Sequence, residues 1–192
     1  MFDRTLPDGT VSTFGVSGWL LESNMIMFDR ATETLWQQST GDALAGSHFG
    51  GSLSLVPFQL LAVGEVRRTF PDARVLSEAT GHRRDYGRNP YAGYETDNRF
   101  VFEPSGVDTT LPPKEIMVVV PVGETVLAVP WNTLRTMGGA THSVGGETYT
   151  FAVDATNQLT VTDTAGTSYP FYFEMWFSVA VQQGERLEFV TL

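Results

Sequence analysis

Nineteen glycines and ten prolines punctuate this 192-residue chain from end to end instead of gathering in one linker. Such breaks leave short runs between turns, and the runs are rich in β-branched and aromatic residues. Val11-Ser12-Thr13-Phe14-Gly15-Val16 alternates with period 2 after a Leu6-Pro7-Asp8-Gly9 turn. Met25 to Phe28 and Thr34 to Gln38 flank the short turn Asp29 to Glu33 and are expected to pair as a hairpin. Leu53 to Val56 reads as a strand closed by Pro57. One helix is expected near residues 58–70, where Leu60, Leu61, Val63, Val66 and Phe70 fall near a helical period. Arg74-Val75-Leu76 reads as a strand leaving it.

After Leu111-Pro112-Pro113 come Ile116 to Val120, Thr125 to Val129, Tyr149 to Val153, Gln158 to Thr162 and Tyr169 to Val181. Regular short strands of this kind predict a mainly β fold, an antiparallel sandwich or partly closed barrel with one short helix. The expected organisation is a single β-rich domain over 1–192, with residues 111–113 as a candidate subdivision. The aromatic stretch Tyr169 to Val181 reads as a central strand buried on both faces. Glu174 within it then needs a partner, expected to be an arginine, because a lone buried carboxylate is costly.

Composition closes off several classes. Apolar residues at 42% suffice for a packed core. No apolar run approaches the ~20 residues of a membrane helix, so no membrane span is expected. Twelve cationic against 22 acidic side chains leave a charge of −10, which argues against nonspecific nucleic-acid binding. Lys114 is the only lysine; the other cations are arginines. With no cysteine, disulfides, thiolate nucleophiles and cysteine metal sites are absent. Met1-Phe2-Asp3-Arg4 lacks the basic and apolar regions of a signal peptide, so none is expected and the chain reads as soluble.

Met-Phe-Asp-Arg occurs at 1–4 and again at 27–30, with Phe-Ala-Val-Asp at 151–154. Asp recurs at such turns because its side chain bonds the turn backbone.

The stretch from Thr13 to Tyr94 resembles a prokaryotic family, the domain of unknown function 3179. The residues behind the resemblance begin with Phe14-Gly15-Val16-Ser17-Gly18, Met27-Phe28-Asp29-Arg30 and Leu35-Trp36-Gln37-Gln38. They continue through Thr40-Gly41-Asp42-Ala43, Gly46, Phe70-Pro71-Asp72 and Val75-Leu76-Ser77. The most specific string runs from Asp85 to Tyr94, Asp-Tyr-Gly-Arg-Asn-Pro-Tyr-Ala-Gly-Tyr. Beyond Pro113 only the strand pattern continues. Family members usually carry a cysteine-bearing strand before the Phe-Asp-Arg turn; here the chain begins at that turn and reads as a truncated or divergent member. The resemblance implies an extracytoplasmic context and supplies no activity.

Residues 78–99 change character, with four glycines and prolines among Arg83, Arg84, Arg88, Arg99 and the tyrosines 86, 91 and 94. A long polar loop inside a compact domain is uncommon and is often functional. Arg84, Tyr86, Arg88, Tyr91 and Tyr94 are the candidate ligand residues, since guanidinium forks bind carboxylate or phosphate and Tyr offers a flat face with a polar tip. Trp36 and Gln38 form a second candidate, a sugar platform, weighed against a strand with Trp inward and Gln outward. His82 and Asp85 are weak acid–base candidates. His48, His82 and His142 lack the close spacings that make a metal site legible, and no metal or cofactor is expected. His48 and His142 read as exposed. Gly15-Val16-Ser17-Gly18 only half matches a nucleophile elbow.

Three readings of function follow. The leading one is a non-catalytic binding or scaffold domain whose Arg/Tyr loop takes a small anionic or carbohydrate-like ligand. The second is a hydrolase using His82 or Asp85. The third is a fragment that pairs with another copy or another protein through an exposed strand edge.

Overall fold

The expected turns do form, and they close three separate sheets in the computed structural model, which describes residues 1–192. The first is an antiparallel meander of β1 (Phe14–Leu21), β2 (Asn24–Asp29), β3 (Leu35–Gln37) and β4 (Ala43–Ala45). The expected hairpin is its centre, with Met27 opposite Trp36 and Phe28 opposite Leu35. Of the expected strand Val11 to Val16, the half from Phe14 opens β1 and Val11 makes only a bridge to Thr5; the expected strand Leu53 to Val56 is reduced to an isolated bridge from Leu55 to Phe2. Helix α1 (Val63–Thr69) lies where the helical period placed it. Arg74 to Leu76 carries no strand; it begins a long strap, residues 71–113, whose one regular element is a 3-10 turn at Tyr94–Thr96.

The second sheet is built on β5 (Ile116–Val122) and β6 (Thr125–Pro130), joined by a tight turn. Helix α2 (Trp131–Met137) follows at once. The third sheet is the meander β7 (Gly139–Val144), β8 (Glu147–Val153) and β9 (Leu159–Thr162). The chain then returns as β10 (Tyr172–Met175), turns into α3 (Trp176–Gln183) and ends with β11 (Leu187–Phe189). The second sheet is thus ordered β10-β5-β6-β11, with β11 parallel to β6.

The mainly β fold expected from the sequence is what forms; its strands make three open sheets, with three short helices where one was expected. The stretch 169–181 is the main correction. It is not one central strand but a four-residue edge strand followed by a helix. The strands buried on both faces are β5 and β6. Val118, Val120, Leu127 and Val129 pack against Phe151, Leu159 and Val161 of the third sheet and Leu134 of α2. On the opposite face Met117, Val119, Val126 and Ala128 pack against Trp176 and Val179 of α3. Each such fully buried aliphatic side chain contributes roughly 1.5–3 kcal/mol. Leu6, Trp36, Ala43 and Leu53 form a separate small core under the first sheet.

Candidate functional site

The residues that carry the family resemblance in the first sheet surround Asp29, which ends β2 and is fully buried. Its Oδ1 accepts from the backbone N–H of Ala31 (3.0 Å) and Thr32 (2.7 Å), and its Oδ2 from the Thr32 hydroxyl (2.7 Å) and Trp36 Nε1 (3.0 Å). Burial pulls the carboxyl up, but these bonds outweigh it and hold Asp29 below the usual carboxylate range. Gly46 closes the same turn from the other side. It sits at φ +107°, and a Cβ there would lie 2.8 Å from Thr34 Cα. Trp36 is wholly buried, so it packs under the sheet and offers no platform to solvent. Gln37 is buried beside it, while Gln38 alone points outward. The repeated Asp turns behave as their chemistry requires: Asp3 accepts from Thr5 N, and Asp154 from Thr156 N and Gln158 N.

The strap holds most of the other candidates, and it divides in two. Residues 71–93 are exposed throughout and make only local hydrogen bonds. His82, Arg84, Asp85, Tyr86 and Arg88 all lie in this half. Asp85 Oδ1 accepts from Gly87 N at 3.2 Å, capping its own turn, and Tyr86 Oη meets Thr80 Oγ1 at 2.6 Å. Arg84 and Arg88 leave their guanidinium groups free. From Tyr94 onward the strap is tied down. Phe100 packs edge-on against Phe177 of α3, at 5.0 Å between ring centroids. Ser23 Oγ donates to the Phe102 carbonyl, Ser105 N donates to Glu22 Oε2 (2.6 Å), and Trp176 Nε1 donates to Asp108 Oδ1 (3.3 Å).

Lys114 fastens this half and was not singled out from sequence. It is buried, and its ammonium donates to the carbonyls of Tyr94 (3.2 Å) and Arg99 (3.0 Å). The same nitrogen stands 3.1 Å from the Tyr94 ring centroid and 5.3 Å from that of Phe100. A compact ammonium on a thin stem fits between two rings and two carbonyls, where a planar guanidinium would not. Its sequence signal was its rarity, a single lysine among eleven arginines. Above this anchor lies an open groove of about 410 Å³, lined by Tyr91, Tyr94, Asp97, Arg99, Phe100 and Val101 among others. Tyr91 and Tyr94 stand 6.1 Å apart there. Arg99 is ion-paired with Asp97, and that bond holds the Asp97 carboxyl below its usual range. Of the candidate ligand residues, the structure therefore brings Tyr91 and Tyr94 together; Arg84, Tyr86 and Arg88, like His82 and Asp85, do not line this groove.

The remaining histidines are more engaged than expected. His142 Nε2 lies 2.5 Å from Glu188 Oε1. His48 is tucked against Trp36, at 5.9 Å between ring centroids, and stands 3.7 Å from Asp8 Oδ2. Ser17 is structural: its hydroxyl donates to the Ile26 carbonyl (2.5 Å) and accepts from Trp19 N (3.1 Å).

Glu174 has partners other than the expected arginine. Its Oε1 accepts from Asn24 Nδ2 (3.0 Å), Ser39 Oγ (2.6 Å) and Ser178 Oγ (2.6 Å), and its Oε2 from Ser39 Oγ (2.7 Å). Burial dominates and pushes the carboxyl above the usual range, against the bonds from these three donors. No helix is long and apolar enough to cross a membrane.

Three open β-sheets, short helices and a long strap fastened by one buried lysine define a mainly β protein with a surface groove. The chain belongs to the family of proteins of unknown function DUF3179, whose model matches residues 1–183. The match thus extends far past the 13–94 stretch that carries the clearest motifs. No curated protein and no solved structure matches the chain.

Proposed function

We propose that the chain is a non-catalytic binding module whose strap takes a small anionic or carbohydrate-like ligand. The observation that carries this reading is the groove at residues 90–101. Two tyrosines and Arg99 line it, and Lys114 fixes it to the body. Tyr faces suit a flat sugar or organic ring, and a guanidinium suits a carboxylate or phosphate. The free half of the strap adds charge of the right sign, three arginines against one aspartate over residues 82–94 in a chain of net −10. Arg84, Tyr86 and Arg88 lie a few residues before the groove in the same strap and, in this reading, supply further contacts to a ligand beside Tyr91 and Tyr94. A titration of the ¹⁵N-labelled protein with glucuronate and with inorganic phosphate tests this. Saturable shifts at the amides of Tyr91, Tyr94 and Arg99 are expected. Arg88→Ala is expected to weaken binding at least tenfold with an unchanged melting curve. Shifts from neither probe contradict the reading, and unfolding of Arg88→Ala assigns that arginine a structural role instead.

A second reading has its own observation. β1 is an edge strand, and Val16 and Trp19 on it are more than 60% exposed. Such an edge pairs readily with another strand. Sedimentation as a monomer at high concentration contradicts pairing between copies.

A further inference from the structure

We infer that Glu174 is the counter-charge of a second site, one that takes the primary ammonium group of a small amine. Three elements converge on this carboxylate: Asn24 from β2, Ser39 from the turn after β3, and Ser178 from α3. Both serines are more than nine-tenths buried. All three are uncharged groups that donate. The chain's ion pairs are His48–Asp8, Arg99–Asp97 and His142–Glu188, so no cation pairs directly with Glu174, although Met1 lines the same cavity. A carboxylate withdrawn from water without a counter-charge is costly, and a cation from outside recovers much of that cost.

The carboxylate is not sealed. It opens on a cavity of about 240 Å³ that also holds Asn24, Ser39, Gln38, Phe58 and Phe173. Phe58 and Phe173 stand edge-to-face at 5.6 Å, and aromatic walls of this kind attract a cation as well as enclosing it. Tyr172 lines the same cavity, and its phenol is bonded elsewhere, to Gln183 Nε2 at 3.1 Å.

The geometry selects among cations. Oε1 already accepts three donors, whereas Oε2 accepts only from Ser39, which it shares with Oε1. A guanidinium needs both oxygens for its fork and is disfavoured. A divalent metal needs several oxygen ligands and compensating charge, and no group of three His, Cys, Asp or Glu exists to supply them. A primary ammonium needs one strong acceptor at its point charge, and Oε2 provides it. Gln38 also lines the cavity wall. The volume lies just under the usual range for organic-ligand pockets, which fits an amine of a few heavy atoms.

The site is independent of the strap groove and is tested separately. Ethylammonium chloride is titrated into protein carrying ¹³C-labelled glutamate, with tetramethylammonium chloride and guanidinium chloride at matched ionic strength as comparisons. The side-chain carboxyl signal of Glu174 is expected to shift saturably with ethylammonium only. Glu174→Gln, folded by near-UV circular dichroism, is expected to lose ethylammonium-dependent thermal stabilisation, and Ser39→Ala to weaken binding about tenfold. Should Glu174→Gln fail to fold, Ser39→Ala carries the comparison. Equal shifts from all three salts, no saturable shift, or variants that bind as well as wild type overturn the inference.

Discussion

Asp29 and Glu174 are both carboxylates drawn out of water, yet their surroundings move them in opposite directions. Asp29 sits at the end of a β-strand, where the following turn aims two backbone N–H groups at it and the indole of Trp36 supplies another donor. Apart from a long bond from Ser12 Oγ (3.4 Å), its donors come from within a span of eight residues. Glu174 receives only side-chain donors, two of them brought from more than 130 residues away, and one of its oxygens is left underused beside a cavity. Backbone donors are fixed by the turn and cost nothing further to order, so they stabilise the charged form well. Three rotatable side chains do less against the same desolvation. The difference separates scaffolding from receptor: the conspicuous Asp29 motif builds the sheet, and the inconspicuous Glu174 is left open to a ligand.

The largest break in this comparison is Asp29→Ala. It orphans the buried Trp36 Nε1 and leaves two backbone donors of a partly exposed turn to water, and at about 1–3 kcal/mol for a buried unsatisfied group the expected loss in urea unfolding is about 2–3 kcal/mol. A loss under 1 kcal/mol would mean that Asp29 does not hold the turn. Next is Lys114→Met, which keeps the stem and removes the charge. Loss of two carbonyl bonds and the contact with the Tyr94 ring is expected to cost about 2 kcal/mol. Trypsin cleavage after Arg99 is expected to accelerate in this variant, and unchanged cleavage would show that the strap is held by Phe100 and its neighbours alone.

Glu174→Gln is the smallest change in stability and the most informative in sign. At neutral pH it is expected to alter stability by less than about 1 kcal/mol, or to raise it, because it removes a charge that burial opposes. The pH dependences also run in opposite directions. Asp29 is held below its unfolded value near 3.8, so its contribution is present above that value and is lost as pH falls through the depressed one. Glu174 is pushed above its unfolded value near 4.5, so its contribution is full below 4.5 and is lost as pH rises through the raised one. In plots of stability against pH, Asp29→Asn should therefore flatten the rise out of acid, and Glu174→Gln the decline at higher pH.

The local parts of this structure were legible in the sequence. The β2–β3 hairpin, the Asp turns and α1 each follow from residues close together in the chain. The 169–181 stretch was not, because its apolar run satisfies strand and helix patterns alike. What ends β10 at Met175 is the tie of Trp176 N to Glu115 O and of Phe177 N to Pro113 O, both far off in sequence. Among the ligand candidates, Tyr91 and Tyr94 were legible as a pair, since they lie three positions apart around one tight turn. The chamber around Glu174 was not: the cost of burying the charge was plain, but Asn24, Ser39 and Ser178 are ordinary residues until the fold gathers them. Trp36 misleads for the opposite reason, because an indole beside glutamines reads equally as platform or core until Asp29 claims its N–H.

The contrast between the two carboxylates is tested most directly by residue-specific ¹³C titration of the Asp29 and Glu174 carboxyl carbons in the folded protein. Asp29 is expected to titrate below the usual carboxylate range and Glu174 above it, with only the Glu174 signal answering to ethylammonium. A Glu174 midpoint at or below the ordinary glutamate value, or an Asp29 midpoint above that of Glu174, would contradict the division into a closed structural carboxylate and an open receptor.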